Sequence, residues 1–233
     1  MKYDVETWKQ FIDIISNITS VGFSDIIIRN QQIRQLNDSK NLIILCEPVV
    51  SEDIQLQLAK AYIPLLKSFS SSETIEVNAD DSFINIKDDT TEVKLVKPDI
   101  KLLSCEYLDD ERFSKLNLDS AETVFELEVT ESILQKILAI KDIFSASLFS
   151  LKTNKNGKTE LRIDSWKKTG KSKILSKQSE LPEGELKGNA AMFDFKFDDE
   201  PKLSVIKTTY QYIAILEGKL NETNVKLFSV LNT

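Results

Sequence analysis

The chain has 233 residues, 41% of them hydrophobic and 29% charged, with a formal net charge of −7, which suits two soluble domains of about 100–120 residues each. It has no histidine, which excludes His-based nucleophiles and His-containing metal sites, and we expect its two isolated cysteines, Cys46 and Cys105, to be buried thiols. No apolar run approaches the roughly 20 residues that span a bilayer, and the N-terminal residues lack the apolar core of a signal peptide, so we expect a cytoplasmic protein with no membrane partner.

The first half of the chain predicts a helix followed mainly by strands. Apolar side chains recur at helical spacing near its start, and Asp4 is a plausible N-cap. Residues 51–69 fit either a strand or a helix, and we favour a strand followed by a short helix because Pro64 is best tolerated in a first turn. The predicted elements are a helix at 4–18, a hairpin of strands at 23–30 and 41–50, a strand at 53–59, a helix at 62–70, and strands at 73–80, 82–89 and 91–98.

The second half restarts with a similar order of elements. Thr130 is placed to cap a helix, and Asn156-Gly157 is a strong signal for a β-hairpin. Pro201 lies near the start of residues 200–209 and favours a short helix there. The predicted elements are a strand at 124–129, a helix after Thr130, strands at 145–154, 158–166 and 191–197, a helix at 200–209, and strands at 210–218 and 224–231.

This repeated order of helices and antiparallel strands predicts an α+β fold with helices packed on one face of each sheet. We predict two similar domains, residues 1–118 and 119–233. Segment 99–121 has no clear hydrophobic period and is the predicted interdomain connector.

No constellation of residues in the sequence indicates an enzyme. Acidic pairs such as Asp80-Asp81 could hold a divalent cation, but solvated turns are the simpler interpretation. A hydrolase with two catalytic carboxylates stays an alternative, although nothing singles out a pair. We therefore predict no catalytic residue, no cofactor and no metal ligand.

The distribution of charge leaves the question of nucleic acid open. The first 118 residues carry 13 basic and 20 acidic side chains, and the remainder carry 17 of each, so such a protein binds DNA only if its positive charge is concentrated on one surface. Lysines recur on or near all four predicted helices, but acidic residues share those helices. Residues 166–177 carry five lysines and no acidic side chain, and they fit a phosphate-binding loop or a solvated loop equally well.

Three stretches of the sequence resemble the DNA sliding clamp family, the ring-shaped processivity factors of DNA polymerases. FELEVTESILQKILAIKDIF (125–144) is similar to the first strand and pore helix of a clamp domain. LLKSFSSSETIEVNADD (65–81) is similar to the end of a second pore helix with the strand and acidic turn that follow. KLSVIKTTYQYIAIL (202–216) is similar to a last helix and strand. In size and order of elements, the chain resembles the two-domain clamps of T-even-like bacteriophages, which are trimers.

This resemblance implies a homotrimer in which six domains close into a ring, with helices lining a hole for double-stranded DNA and sheets forming the outer wall. Lys67, Lys136, Lys141 and Lys207 match positions that face the DNA, and Lys9 is the next candidate by helix position. The implied partners are double-stranded DNA of any sequence, a DNA polymerase and an ATP-driven clamp loader. If the protein is viral, the resemblance also implies action in an infected host cell and a role in late viral transcription.

The resemblance further implies a site for partner peptides. Segment 99–121 matches the loop beneath which clamps bind the hydrophobic tails of polymerases and loaders, so Tyr107, Leu108 and Phe113 are candidates for that groove. The same three residues could instead pack the connector against its sheet. A non-enzymatic structural oligomer, such as a virion or tail component built on a duplicated α+β domain, is the alternative function.

Overall fold

The computed structural model describes residues 1–48, 50, 52–164 and 171–233. The chain divides into two compact units: unit 1 comprises Met1–Leu108 with Leu220–Val225, and unit 2 comprises Asp109–Lys219 with Lys226–Thr233. The division falls after Leu108, whereas the boundary predicted after Leu118 lies later in the same connector. No helix among the described residues is both long and apolar enough to cross a membrane.

Unit 1 combines two α-helices with short antiparallel strands. Its strands form one sheet in the order β1-β6-β7-β8 and another in the order β4-β3-β2-β5, with β9 beside β3. The elements are β1 (Lys2–Asp4), α1 (Val5–Ser20), β2 (Ile26–Arg29), β3 (Gln32–Leu36), β4 (Ile43–Cys46), β5 (Gln55–Leu56), α2 (Ala59–Ser68), β6 (Thr74–Ala79), β7 (Phe83–Lys87), β8 (Glu92–Val96) and β9 (Glu106–Tyr107).

Helix α1 confirms the first predicted helix and its cap. The Asp4 carboxylate accepts a hydrogen bond from the Thr7 amide at 2.8 Å, which satisfies one of the amides that a helix start leaves unpaired. The helix ends where Gly22 takes a φ of +94°, a conformation that costs glycine little. Its apolar stripe is fully packed, and the buried residues are Trp8, Phe11, Ile12, Ile14, Ile15 and Ile18.

The first predicted hairpin of unit 1 contains an additional strand. Strand β3 lies between the two expected strands, so residues 26–46 form a three-stranded meander rather than a single hairpin. A two-residue turn makes this possible because Asn30 and Gln31 both take positive φ values, 51° and 60°, as a type I′ hairpin turn requires. The turn was missed because Asn-Gln lacks the glycine that usually marks such a turn.

The predicted strand at 53–59 and helix at 62–70 are both displaced in the structure. The strand is only Gln55–Leu56, and α2 begins at Ala59, which puts Pro64 inside the helix rather than in its first turn. The helix starts early because Leu58 takes a left-handed conformation and donates its amide to the Asp25 carboxylate at 2.9 Å. Pro64 lies on the exposed side of α2, where the carbonyl that loses its donor can be hydrated.

The three strands predicted after α2 are confirmed as β6, β7 and β8. The acidic turns between them are built by carboxylates that accept backbone hydrogen bonds. Asp80 accepts from the amides of Ser82 and Phe83, each at 2.7 Å, and Asp88 accepts from the amide of Thr90 at 2.8 Å. These two carboxylates therefore shape turns, and no group of three or more potential metal ligands occurs among the described residues.

Unit 2 repeats the opening strand and helix but differs after them. Its strands form sheets in the orders β10-β15-β16-β17 and β13-β12-β11-β14. The elements are α3 (Asp110–Ser114), β10 (Glu122–Glu128), α4 (Glu131–Phe144), β11 (Leu148–Thr153), β12 (Lys158–Asp164), β13 (Lys171–Gln178), β14 (Gly184–Asn189), a 3₁₀ helix (Ala190–Asp194), β15 (Lys202–Lys207), β16 (Tyr212–Leu220) and β17 (Thr223–Leu231).

The start of unit 2 follows the sequence-based predictions. Strand β10 is present, and the Thr130 hydroxyl accepts from the Ile133 amide at 3.4 Å to cap α4. Strands β11 and β12 pair around Asn156-Gly157, where Gly157 takes a φ of +71°. The hairpin prediction is therefore confirmed.

The predicted helix at 200–209 is wrong, because residues 202–207 form strand β15. This strand pairs with β10 on one side and β16 on the other, and its four central residues, 203–206, are buried. A β-branched pair, Val205 and Ile206, suits such a doubly paired strand better than an exposed helix. Pro201 therefore precedes a strand instead of starting a helix.

The predicted strand at 191–197 is also wrong in its first part. Residues Ala190–Asp194 form a 3₁₀ helix whose start is fixed by the Asn189 side chain, which accepts from the Ala191 amide at 2.9 Å. Strand β14, before this turn, was not predicted. Unit 2 consequently has a 3₁₀ helix at the chain position where unit 1 has the ten-residue helix α2.

Both cysteines are free and buried, as the sequence predicted. Burial raises the pKa of Cys46 to about 12. Burial, together with a hydrogen bond to Asp38, raises the pKa of Cys105 to about 12. Thiols of such high pKa stay protonated near neutral pH and are poor nucleophiles.

Candidate nucleic-acid interface

Helix α2 offers the most uniformly basic helical surface of unit 1. It has no acidic residue, and its lysines, Lys60 and Lys67, are both exposed. They are seven positions apart, which places them on the same face of the helix. Neither lysine has an ion-pair partner among the described residues, so both can reach an anionic ligand without first breaking an internal contact.

The structure fixes the orientation of this basic face through two hydrogen bonds. The indole Nε1–H of Trp8, on α1, donates to the carbonyl of Leu66 on α2 at 2.9 Å. At the other end of α2, the buried Asp25 carboxylate accepts from the Leu58 amide at 2.9 Å. Because Leu66 and Trp8 are buried, this packing leaves Lys67, about 100° around the helix from Leu66, facing solvent.

The five predicted DNA contacts lie in different environments. Lys67 and Lys136 are exposed on α2 and α4, as expected. Lys9 is exposed on α1 but forms an ion pair with Glu6 at 2.9 Å. Lys141 is largely buried on α4, where its ammonium contacts the Asp194 carboxylate at 2.7 Å. Lys207 is exposed but lies on strand β15, so its expected place on a helix is wrong.

Lys60 is a candidate that sequence reasoning had left out of the DNA contacts. Lys60 and Lys67 were both noted on or near the second predicted helix, but the predicted bounds of 62–70 put Lys60 before its first turn. Only the earlier start of α2 shows that both lysines share one helix.

The lysine-rich segment 166–177 is only partly described. Residues 165–170 lie outside the described residues, and the rest belongs to strand β13. The ammonium of Lys173 contacts Glu160 at 2.9 Å, and that of Lys177 donates to the carbonyl of Glu126 at 2.8 Å. These two lysines are thus engaged within unit 2, which weakens the interpretation of 166–177 as a phosphate-binding loop.

The three candidates for partner binding do not share one unit. Tyr107 and Leu108 belong to unit 1, where Arg34 and Arg29 lie over the Tyr107 ring at 5.8 and 5.7 Å from its centroid. Leu108 is buried and donates its amide to the carbonyl of Arg34 at 2.8 Å. Phe113 belongs to unit 2 and packs edge-on against Phe228 with ring centroids 5.9 Å apart. Packing of the connector accounts for these contacts.

Each unit also has a sheet that ends in an exposed edge strand. Strand β8 ends the sheet β1-β6-β7-β8 of unit 1, and β13 ends the sheet β13-β12-β11-β14 of unit 2. Neither strand has a buried residue among those whose side chains are described. Half-exposed apolar side chains line both edges, among them Leu95 on β8 and Ile174 on β13. Such edges readily pair with another chain.

Comparison with solved structures places this architecture among known folds. The chain is similar to a PCNA2–PCNA3 complex from Sulfolobus tokodaii, with 14% identity, a TM-score of 0.59, and coverage of 99% of this chain and 98% of that one. It is also similar to a PCNA from A. fulgidus bound to the C-terminal region of FEN-1, with 12% identity, a TM-score of 0.56, and coverage of 100% and 97%. The chain has the fold of a DNA sliding clamp.

A bacterial clamp that is longer than this chain supports the same assignment of fold. The DNA polymerase sliding clamp of Caulobacter crescentus is matched over 100% of this chain with a TM-score of 0.66 and 10% identity. This chain spans only 65% of that protein, whereas it spans almost all of the PCNA chain from Sulfolobus. No family model matches the sequence, and no curated protein matches it. The sliding clamp resemblance stated from three stretches of sequence is therefore confirmed at the level of fold.

Proposed function

We propose that the chain is the protomer of a DNA sliding clamp that encircles double-stranded DNA and tethers a DNA polymerase. The observation that carries the proposal is the match of the whole chain, at nearly equal length, to PCNA structures. A scaffold of this kind needs no catalytic group. The protonated thiols and the turn-forming carboxylates are consistent with that role.

The proposed assembly is a homotrimeric ring of six domains. The two domains are those proposed from the sequence, residues 1–118 and 119–233, joined by the connector 99–121. We propose that β8 of one protomer pairs with β13 of the next, since both are exposed edges and pairing would remove them from solvent.

The proposed DNA contacts are sequence-independent and electrostatic. Lys67 and Lys136 are the leading candidates because both are exposed on helices and have no ion-pair partner among the described residues. Lys9 and Lys141 would contribute less, since each must leave an internal carboxylate to reach a phosphate. Lys207 stays a candidate DNA contact, although it lies on strand β15 and not on a helix. Lysines that contact phosphates give weak, salt-sensitive attraction without reading sequence, which suits a protein that slides.

Partners are proposed on the same basis. The polymerase and an ATP-driven clamp loader would bind through their own peptide tails near Tyr107, Leu108 and Phe113. The similar PCNA of A. fulgidus is bound by the C-terminal region of FEN-1. The resemblance of the sequence to T-even-like clamps extends the proposal to a phage origin, action in an infected host cell and a role in late viral transcription.

Native mass spectrometry tests the assembly. We expect a species of three times 26.5 kDa, and a stable monomer would contradict the ring. A large lattice would favour the structural alternative of a virion or tail component. Loading onto nicked circular DNA tests the topology, because a closed ring stays on the circle and falls off when the DNA is made linear.

Charge reversal tests the DNA surface. We expect Lys67→Glu with Lys136→Glu to reduce polymerase stimulation roughly tenfold at moderate salt, because three copies of each lysine would lose their phosphate contacts. The matched control is Lys87→Glu with Lys155→Glu, which reverses two exposed lysines outside the helices. Equal losses for both pairs would contradict the assignment of α2 and α4 as the DNA surface.

A further inference from the structure

Unit 2 contains a groove between helix α4 and the segment Phe193–Pro201. Its volume is about 630 Å³. The floor is apolar and includes Leu134, Leu138 and Phe197, each only half-buried. Half-exposed leucine and phenylalanine side chains in one concave site are typical of a surface that another molecule covers.

The wall opposite α4 is a rigid part of unit 2. The amide of Asp198 donates to the carbonyl of Lys219 at 2.8 Å, and the amide of Lys219 donates to the Asp199 carboxylate at 2.8 Å. A Cβ atom at Gly218 would lie 2.6 Å from the Phe197 ring, so glycine at this position permits the wall to lie directly on β16. The groove is therefore preformed.

The rim of the groove is strongly acidic. Six carboxylates and one lysine line the groove. Asp194 is already paired with Lys141, but three others have no ion-pair partner among the described residues. Those three are Glu131, Asp142 and Glu200, and all are exposed.

Unit 1 shows what covers the equivalent surface of its own first helix. There α2 packs on α1, with Leu66 buried and Trp8 tied to its carbonyl. Helix α2 has two lysines and no acidic residue. In unit 2, the chain at that position forms the 3₁₀ helix Ala190–Asp194 and the irregular residues 195–201 instead of an α-helix, and the groove lies beside α4.

We propose that this acidic groove binds a short, basic, amphipathic helix of a partner protein. Leucine-like side chains of that helix would cover Leu134, Leu138 and Phe197, and its lysines or arginines would reach Glu131, Asp142 and Glu200. Helix-in-groove recognition of this kind uses apolar anchors at positions i, i+3 or i+4, and i+7. The proposal does not depend on ring formation or DNA binding.

The charge of the groove excludes nucleic acid as its occupant, because phosphates would meet carboxylates. The groove also lies away from Lys136, the leading candidate DNA contact on the same helix. At 3.6 residues per turn, Glu131 and Lys136 point about 140° apart around α4. A partner helix could therefore occupy the groove while Lys136 stays exposed.

The test measures binding of a fluorescently labelled synthetic helix with leucine on one face and lysine on the other. We expect saturable binding to the full chain, and no binding of a matched peptide with glutamate in place of lysine. Asp142→Lys with Glu200→Lys should weaken binding at least about tenfold, since two attractive charges become repulsive. Leu138→Ser should also weaken it.

The control variant is Asp81→Lys with Asp89→Lys, which makes the same charge change at exposed turns of unit 1. Equal weakening by both charge variants would show nonspecific attraction and overturn the proposal, as would full binding by the Asp142/Glu200 variant. Sedimentation of the Leu138→Ser variant tests whether a second copy of this chain, and not a partner protein, occupies the groove. If the variant loses self-association, the occupant is a second copy and the proposal is overturned. If Leu138→Ser fails to fold, the charge variants alone decide, since they alter exposed side chains only.

Discussion

Helices α1 and α4 take the same place in the order of elements of the two units, yet they are buried to different degrees. Six residues of α1 are buried, whereas only Ile137 of α4 is. Helix α2 covers α1, while the corresponding chain segment of unit 2 forms a 3₁₀ helix and an open acidic groove. Two units with the same opening elements can thus differ in packing, since the first helix of one lies in a closed core and that of the other borders an open groove.

Removing the indole of Trp8 should have the largest effect on stability. We expect Trp8→Ala to lower the free energy of unfolding by about 3–5 kcal/mol, because Trp8 is fully buried and donates to the carbonyl of Leu66. The matched change Leu134→Ala in α4 should cost about 1 kcal/mol, since Leu134 is half-exposed in the groove. Urea unfolding followed by circular dichroism measures both. Similar costs would contradict the contrast between the helices.

Removing the carboxylate of Asp25 should have the next largest effect. This fully buried side chain accepts from the amides of Leu58 and Ser104 at 2.9 and 2.5 Å, and from that of Cys105 at 3.3 Å. Asp25→Ala would leave those amides unpaired, and we expect a loss of about 3 kcal/mol. The control is Asp81→Ala, at an exposed turn. A loss for Asp25→Ala no greater than for the control would show that water replaces the carboxylate.

The contacts of Asp25 also show what the sequence could not predict. The start of α2 depends on a carboxylate 33 positions away in the chain, and no local signal marks Leu58 as the residue before a helix. Local rules for Pro64 therefore gave a helix that begins too late. By contrast, α1 and α4 have side-chain caps at Asp4 and Thr130 and long periodic stripes, and both helices were predicted.

Strand β15 shows that local sequence rules were also insufficient at the candidate site. Whether KLSVIK forms a helix or a strand depends on pairing with β16 and with β10, and β10 is distant in sequence. The family resemblance correctly indicated the fold, but it carried Lys207 to a helix that does not exist. The acidic groove was not predicted at all, because its wall, residues 193–201, was expected to begin as a strand at 191–197 and not as a 3₁₀ helix with an irregular segment after it.

Lowering the pH should reduce the stabilisation that one carboxylate contributes in each unit. A hydrogen bond from Ser72, with others from the turn amides, lowers the pKa of Asp88 to about 2. Lys173 and then Arg162 lower the pKa of Glu160 to about 2. In the unfolded chain these pKa values are about 3.9 and 4.3. Each folded pKa is depressed, so its stabilisation is present above about pH 4–5 and is lost as the pH falls toward 2.

The measurement is the urea midpoint at several pH values between 7 and 2. We expect Asp88→Asn and Glu160→Gln each to be less stable than the wild type at pH 7, and the difference to shrink as the pH approaches 2. A difference that stays constant with pH would mean that the carboxylates contribute through packing and not through charge. Combining both variants should give additive changes, because the two residues lie in different units.

The caps of α1 and α4 should give the smallest difference and the closest comparison. Asp4 accepts from the Thr7 amide at 2.8 Å, while Thr130 accepts from the Ile133 amide at 3.4 Å, which is long for a hydrogen bond. Thr130→Ala should cost about 0.5–1 kcal/mol. Asp4→Ala should lower the melting temperature more than Thr130→Ala, because the shorter bond carries a charge that also suits the helix dipole. Asp4→Asn isolates that charge, since it keeps an oxygen acceptor. If Thr130→Ala proves the more costly change, α4 depends on its cap because packing supports it so little, and burial would then be the wrong measure of how firmly each helix is held.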